Sequence, residues 1–123
     1  MTRIRLARAY DDPAPDDGRR VLVDRVWPRG RSRASLALDA WYPELGPSDA
    51  LRKWFGHDPV RWAEFRERYL VELARPEVQP LLEDLVATAR RGTLTLVYGA
   101  ADREHNQAVV LAELIRERAG PDR

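Results

Sequence analysis

A chain of 123 residues that is 44% hydrophobic and 33% charged has the size and make-up of one compact domain, which sets aside the disordered and fibrous classes. No run approaches the ~18–20 apolar residues of a membrane span and MTRIRLARAY lacks the apolar block of a secretory signal, so a cytosolic protein is expected; zero cysteines with two histidines argue against disulfide, thiolate and zinc chemistry, and no metal ligand is named. The net charge of +1 is unevenly spread: residues 19–33 hold six arginines against Asp24 alone, a patch of +5 on a body that is otherwise −4.

In chain order, IRLARAY (4–10) and RVLVDRV (20–26) are short and rich in β-branched or aliphatic residues, and DDPAPDDG between them reads as a surface loop. Two strands are expected, with a link short for a parallel crossover, so a parallel or an antiparallel relation stays open. LALDAWY (36–42) alternates Leu36 and Leu38, with Trp41 falling out of the period, and is read as a strand or extended segment; PELGPS then breaks it. Ser48 is placed to cap a short helix DALRKWF, which Gly56 ends in a left-handed conformation.

Asp58 and Pro59 next open a longer helix whose Trp62, Phe65, Tyr69 and Leu73 share one face, with Glu64 and Arg68 at ion-pair spacing on another. A further helix covers about residues 77–90, turning Val78, Leu81, Leu82, Leu85 and Ala89 inward, with Pro80 confined to its first turn and Gly92 as its stop. TLTLVYGA (93–100) reads as a strand buried on both faces, and a last helix over about 103–118 carries the broad apolar set Val109, Val110, Leu111, Leu114 and Ile115. Strands separated by helices predict a three-layer single α/β domain over residues 1–123. Its sheet would have about four strands, parallel in the main with a mixed sheet as the alternative, flanked by helices.

In open α/β sheets ligands lie beyond the carboxyl ends of the strands, so the residues following each apolar run are the candidates. After VLV come Asp24, Arg25, Trp27, Arg29, Gly30, Arg31 and Ser32; after LTLV come Tyr98, Gly99, Asp102, Arg103, His105 and Asn106. The arginines suit a phosphate or carboxylate, because a guanidinium is a planar fork of donors that stays charged. Trp27 offers a flat wall to a ring, although a place in the core is the commoner fate of a tryptophan. Asp102 reads equally as the cap of the last helix, whose amino end favours a negative group. His105 is of a residue type suited to proton transfer, and His57 in WFGHDP ranks just below it. No hydrolase triad, P-loop or dinucleotide fingerprint is present, so no cofactor is named.

RVLVDRVWPRG, LRKWFGHDPVRWAEFRERYLVEL and TLTLVYGAADREHNQAVVL resemble, in the same order, segments of the YeaO-like proteins, within the bacterial and archaeal group called domain of unknown function 488. The resemblance covers nearly the whole chain and implies a compact α/β domain but no established reaction. Longer members of the group have an Asp-x-Arg or Asp-Arg-like strand end followed by Ser-Arg or Ser-Lys, resembling Asp24, Arg25, Ser32 and Arg33 here. They also have a late strand ending at Cys, then an acidic residue and Cys-His-Arg, where this chain shows Tyr98, Asp102, Asn106 and Gln107. With no cysteine, and with Gln107 where close relatives often have His, chemistry needing a thiol or that histidine is not expected. The arginines are untouched by this departure.

The leading expectation is a small cytosolic enzyme or enzyme-like domain that binds a phosphorylated or carboxylated small molecule, such as a nucleotide, through Arg25, Arg29 and Arg31. His105 or Asp24 would handle protons. The alternative is a nucleic-acid-binding module in which the same arginines meet phosphates and Trp27, Trp41 or Trp54 stacks on bases; the negative remainder of the chain weighs against it. A third expectation is a partner-binding protein presenting the aromatics of WYPEL or WFGHDP.

Overall fold

The computed structural model describes residues 3–120, so the two ends of the expected 1–123 domain lie outside the described residues. In chain order it contains β1 (Arg3–Arg8), β2 (Arg19–Leu22), α1 (Arg33–Leu36), β3 (Ala40–Trp41), α2 (Asp49–Phe55), α3 (Trp62–Leu73), α4 (Gln79–Arg91), β4 (Thr93–Tyr98) and α5 (Gln107–Ala119), with short 3-10 turns at Pro43–Leu45, Pro59–Arg61 and Pro76–Val78. The four strands form one sheet in the order β1-β4-β2-β3, parallel throughout.

The open question about the first two strands has an unexpected answer: they are not neighbours. β4 lies between them, pairing Arg3–Arg8 with Thr93–Tyr98 on one side and Arg19–Leu22 with Leu94–Val97 on the other. The link therefore crosses the face of β4, held there by the Thr95 hydroxyl, which donates to the Asp17 carbonyl at 2.6 Å. At Gly18 the chain turns with φ +64, and a Cβ would sit 2.3 Å from the Thr93 carbonyl oxygen. Gly18→Ala is expected to destabilise the fold by about 2–3 kcal/mol, because both the backbone angle and the contact oppose it. A urea titration measures this as a lower midpoint.

The local signals for the helices act as expected. The Ser48 hydroxyl accepts from the Leu51 N–H at the start of α2 and Gly56 closes it with φ 55. Asp58 accepts from the Val60 N–H ahead of Pro59, and Pro80 sits in the first turn of α4. Phe65, Tyr69 and Leu73 are buried along one face of α3, while Glu64 and Arg68 pair outside.

Two boundaries differ from expectation. Residues 36–42 are not one extended segment, because Ser32 and Ser35 form a reciprocal capping box that winds Arg33–Leu36 into a helical turn, leaving only Ala40–Trp41 as strand. The last helix begins at Gln107 and not near 103: Asn106 caps it by accepting from the Val109 N–H, whereas Asp102 turns its carboxylate to the N–H groups of Glu104 and His105 in the loop before it.

The layers on the two faces of the sheet are unequal. One face carries the main core, in which Val21, Val23, Leu94, Leu96 and Tyr98 meet apolar side chains from α2, α3, α4 and α5. On the other face Leu22 and Val97 pack with Ala9 and Leu36 of α1, bordered by Trp27, Leu38 and Trp41. Among the described residues no helix is long and apolar enough to cross a membrane.

Candidate functional site

Because β2 and β4 are parallel neighbours, their carboxyl ends open side by side. The Val23 N–H donates to the Val97 carbonyl at 3.0 Å and continues the ladder one residue past β2, which sets Asp24 beside Gly99. The Gly99 N–H donates to Asp24 Oδ2 at 2.8 Å, and the Gln107 side-chain amide donates to Asp24 Oδ1. The backbone of Asp24 is fixed as well, its carbonyl accepting from Trp41 Nε1 at 2.7 Å. A Cβ on Gly99 would lie 2.8 Å from Asp24 Oδ2, so a side chain there would push the carboxylate away. Burial pushes the Asp24 carboxyl up to about 6, against the pull of the two hydrogen bonds and of the Arg52 charge.

Arg25 is oriented by backbone. Its Nε donates to the Pro47 carbonyl at 2.9 Å and its Nη2 to that of Gly46 at 2.8 Å. Gly46 also lets the two backbones pack closely, since a Cβ there would fall 2.6 Å from the Arg25 backbone nitrogen. Among the described residues, no carboxylate lies within ion-pair distance of Arg25. Two neutral carbonyls hold the guanidinium in place and leave its charge unneutralised.

Across the opening, His105 Nδ1 lies 2.9 Å from Asp102 Oδ2. The Glu104 N–H and the His105 side chain hold the Asp102 carboxyl below the usual carboxylate range, which makes it a firm acceptor for that ring nitrogen. Trp62 packs edge-on against the imidazole, ring centroids 5.2 Å apart. Asn106 is buried and occupied twice, as the helix cap and by donating to the Asp102 carbonyl at 2.9 Å.

These groups surround a cleft of about 220 Å³ whose lining includes Asp24, Arg25, Gly99, His105, Asn106 and Gln107. Its remaining wall includes Arg52, Phe55, His57 and Phe65 from α2, α3 and the turn between them, together with Val26, Pro47 and Ala100. Phe55 and Phe65 stack with centroids 4.3 Å apart, adding an aromatic side to a hollow that also holds charged and polar groups. His57 follows Gly56 in the left-handed region with φ 57, an uncommon conformation for a residue with a side chain.

The expected site residues thus divide. Asp24, Arg25, His105 and Asn106 share the cleft, and Asp102 supports it from behind. Trp27, Arg29, Arg31, Ser32 and Tyr98 do not line it. Trp27 stands edge-to-face with Trp41 at 5.2 Å and donates from Nε1 to the Arg31 carbonyl at 2.7 Å, beside the smaller core. Ser32 caps α1, Arg29 is exposed, and Tyr98 is buried in the main core. Arg52, Phe55 and Phe65 have no local signal, since the aromatics fall on faces that read as core and Arg52 reads as an ordinary charge on a short helix; Gln107 is marked only by the family resemblance.

A family model described as "Inactive DUF488-N3 subclade" matches residues 3–122. The chain belongs to this subclade. Among relatives, the uncharacterized protein YeaO of Escherichia coli (strain K12) is 45% identical to this DUF488-N3 chain over 113 residues, which is 92% of the chain and 96% of that protein. The uncharacterized protein Rv3073c of Mycobacterium tuberculosis (strain ATCC 25618 / H37Rv) is 39% identical over 117 residues, covering 95% of the chain and 97% of that protein. No solved structure matches this DUF488-N3 chain.

Proposed function

We propose that the cleft binds a small anionic ligand, a phosphate or carboxylate compound, with Arg25 as the principal anchor and His105 as a second contact. The observation that carries this reading is Arg25 itself: a guanidinium held at a cleft wall by the Gly46 and Pro47 carbonyls with no carboxylate beside it. An unneutralised, immobilised cation at the mouth of a partly apolar hollow favours an anion without the entropy cost of ordering a free side chain. The volume of about 220 Å³ suits a small molecule better than a polymer. The inactive description of the subclade supports binding over turnover. In this reading Asp24 and His105 read the ligand's protons by hydrogen bonding, and the protein works in the cytosol.

The nucleic-acid alternative draws less support. Trp27 and Trp41 are tied by their indole N–H groups to backbone carbonyls, and Trp54 lies under the Arg61 and Arg68 guanidiniums. Guanidiniums already stand over Trp54 and, from Arg33, over Trp27, which competes with base stacking there.

Calorimetric titration with inorganic phosphate, sulfate and mononucleotides at low salt tests the reading. At least one of them is expected to bind, with Arg25→Ala and Arg25→Gln weakening it by about tenfold or more, the equivalent of one lost charge-assisted contact. Silence of the wild-type protein toward these anions and toward carboxylate compounds, amino acids included, at millimolar ligand, or equal affinity in folded Arg25 variants, would overturn it.

A further inference from the structure

We propose that Asp24 makes the cleft selective for zwitterions, admitting ligands that carry a protonated amine close to their anionic group and disfavouring plain anions. This rests on the anion-binding reading and adds the identity of the second group on the ligand.

The cleft holds two fixed and opposite charges that do not neutralise each other. Asp24 and Arg25 are adjacent in sequence, yet Arg25 donates to the Gly46 and Pro47 carbonyls, while Asp24 takes its two hydrogen bonds from Gly99 and Gln107. The other cation in the wall, Arg52, is bonded to Asp49 at 3.0 Å. No ion pair to Asp24 exists among the described residues. Each carboxylate oxygen of Asp24 accepts one protein donor and retains a lone pair, so the group can still accept from a ligand. Its position is set from β4, α5 and the indole of Trp41, which leaves it little freedom to swing out of the way of an approaching anion.

The energetic consequence follows from burial. The carboxyl loses its proton near pH 6, so at pH 8 it is a charge largely withdrawn from water. A simple anion anchored on Arg25 would bring a second negative charge into the same small hollow, where the repulsion is poorly screened. A ligand with an ammonium group would instead supply the missing counter-charge. Phe55 and Phe65 would take an apolar or aromatic body between the two charged ends. The class is therefore that of amino acids and related amine-bearing acids with an apolar side group.

The experiment compares L-phenylalanine with 3-phenylpropionate, which differ only by the ammonium group, and adds inorganic phosphate as the plain-anion probe, all at pH 8 and low salt. Wild-type protein is expected to bind phenylalanine about tenfold or more tightly than 3-phenylpropionate, the scale of one charge-assisted contact. Asp24→Asn is expected to level the two, by weakening phenylalanine and strengthening 3-phenylpropionate. Equal affinities in the wild-type protein, or discrimination that survives in a folded Asp24→Asn variant, overturn the zwitterion proposal and leave the anion cleft standing. Absence of binding by all three probes overturns both.

Discussion

Asp17→Ala is expected to remove about 3–5 kcal/mol of folding stability. Asp17 and Arg20 are both buried, at 4% exposure each, and Arg20 Nη1 lies 2.6 Å from Asp17 Oδ2. The pair is well supplied with further bonds. Arg20 Nε donates to the Leu36 carbonyl at 3.0 Å, the Ala14 N–H donates to Asp17 Oδ2 at 2.9 Å, and Arg5 approaches Asp17 Oδ1 at 3.6 Å. Truncating Asp17 would leave the Arg20 guanidinium out of water without its counter-charge, and that penalty exceeds the modest net worth of the intact pair. It would also loosen the link that carries the chain across β4. Replacing both partners together, Asp17→Leu with Arg20→Met, is expected to cost clearly less than Asp17→Ala alone, because no orphaned charge remains. Urea titrations of the single and double variants decide the matter: a loss under about 1 kcal/mol for Asp17→Ala would mean that water reaches Arg20.

The second large effect has the opposite sign. Asp24→Asn is expected to stabilise the protein at pH 8, by about 1–2 kcal/mol, while altering what the cleft accepts. Burial raises the Asp24 carboxyl to about 6 in the folded protein, against 3.8 for an aspartate free in water. Below the lower value both folded and unfolded chains hold the proton and the group contributes nothing. Between the two, the folded chain keeps a proton that the unfolded chain has released, so stability falls as pH rises. Above the higher value the full penalty, roughly 3 kcal/mol, is present. Asparagine removes that penalty but imperfectly replaces the acceptors used by Gly99 and Gln107, although the Gln107 amide can rotate to offer its oxygen. The wild-type protein should therefore lose stability from pH 4 to pH 7 by an increment that the variant lacks. Parallel pH-dependent profiles for the two proteins would remove Asp24 as the origin. A residue that lowers stability while lining a cleft is the usual sign of a position kept for binding and not for folding.

Much of this architecture is legible in local sequence. Pro59 behind Asp58, Ser48 before DALRKWF and the aromatic face of α3 each act over a few residues, so the helices could be placed from local chemistry alone. The failures were of the same kind as the successes. Asp102 and Asn106 are both competent caps within one turn of each other, and only the competition between them sets the start of α5 at Gln107. The capping box of Ser32 and Ser35 outweighed the alternation of Leu36, Leu38 and Trp41.

For the site, the chain by itself determined that positive charge gathers after β2 and that Asp24, Arg25 and His105 follow strand ends. Only the tertiary structure decided which of those side chains meet. The insertion of β4 between β1 and β2 brings Gly99 and Gln107 to Asp24 across sequence separations of 75 and 83 residues, and α2 and α3 then close the wall with Arg52, Phe55 and Phe65. Caps, prolines and periodicity act between neighbours along the chain, whereas strand order is set by burying apolar faces drawn from distant segments. For that reason one arginine of the cluster lines the cleft while Arg29 and Arg31 lie outside it.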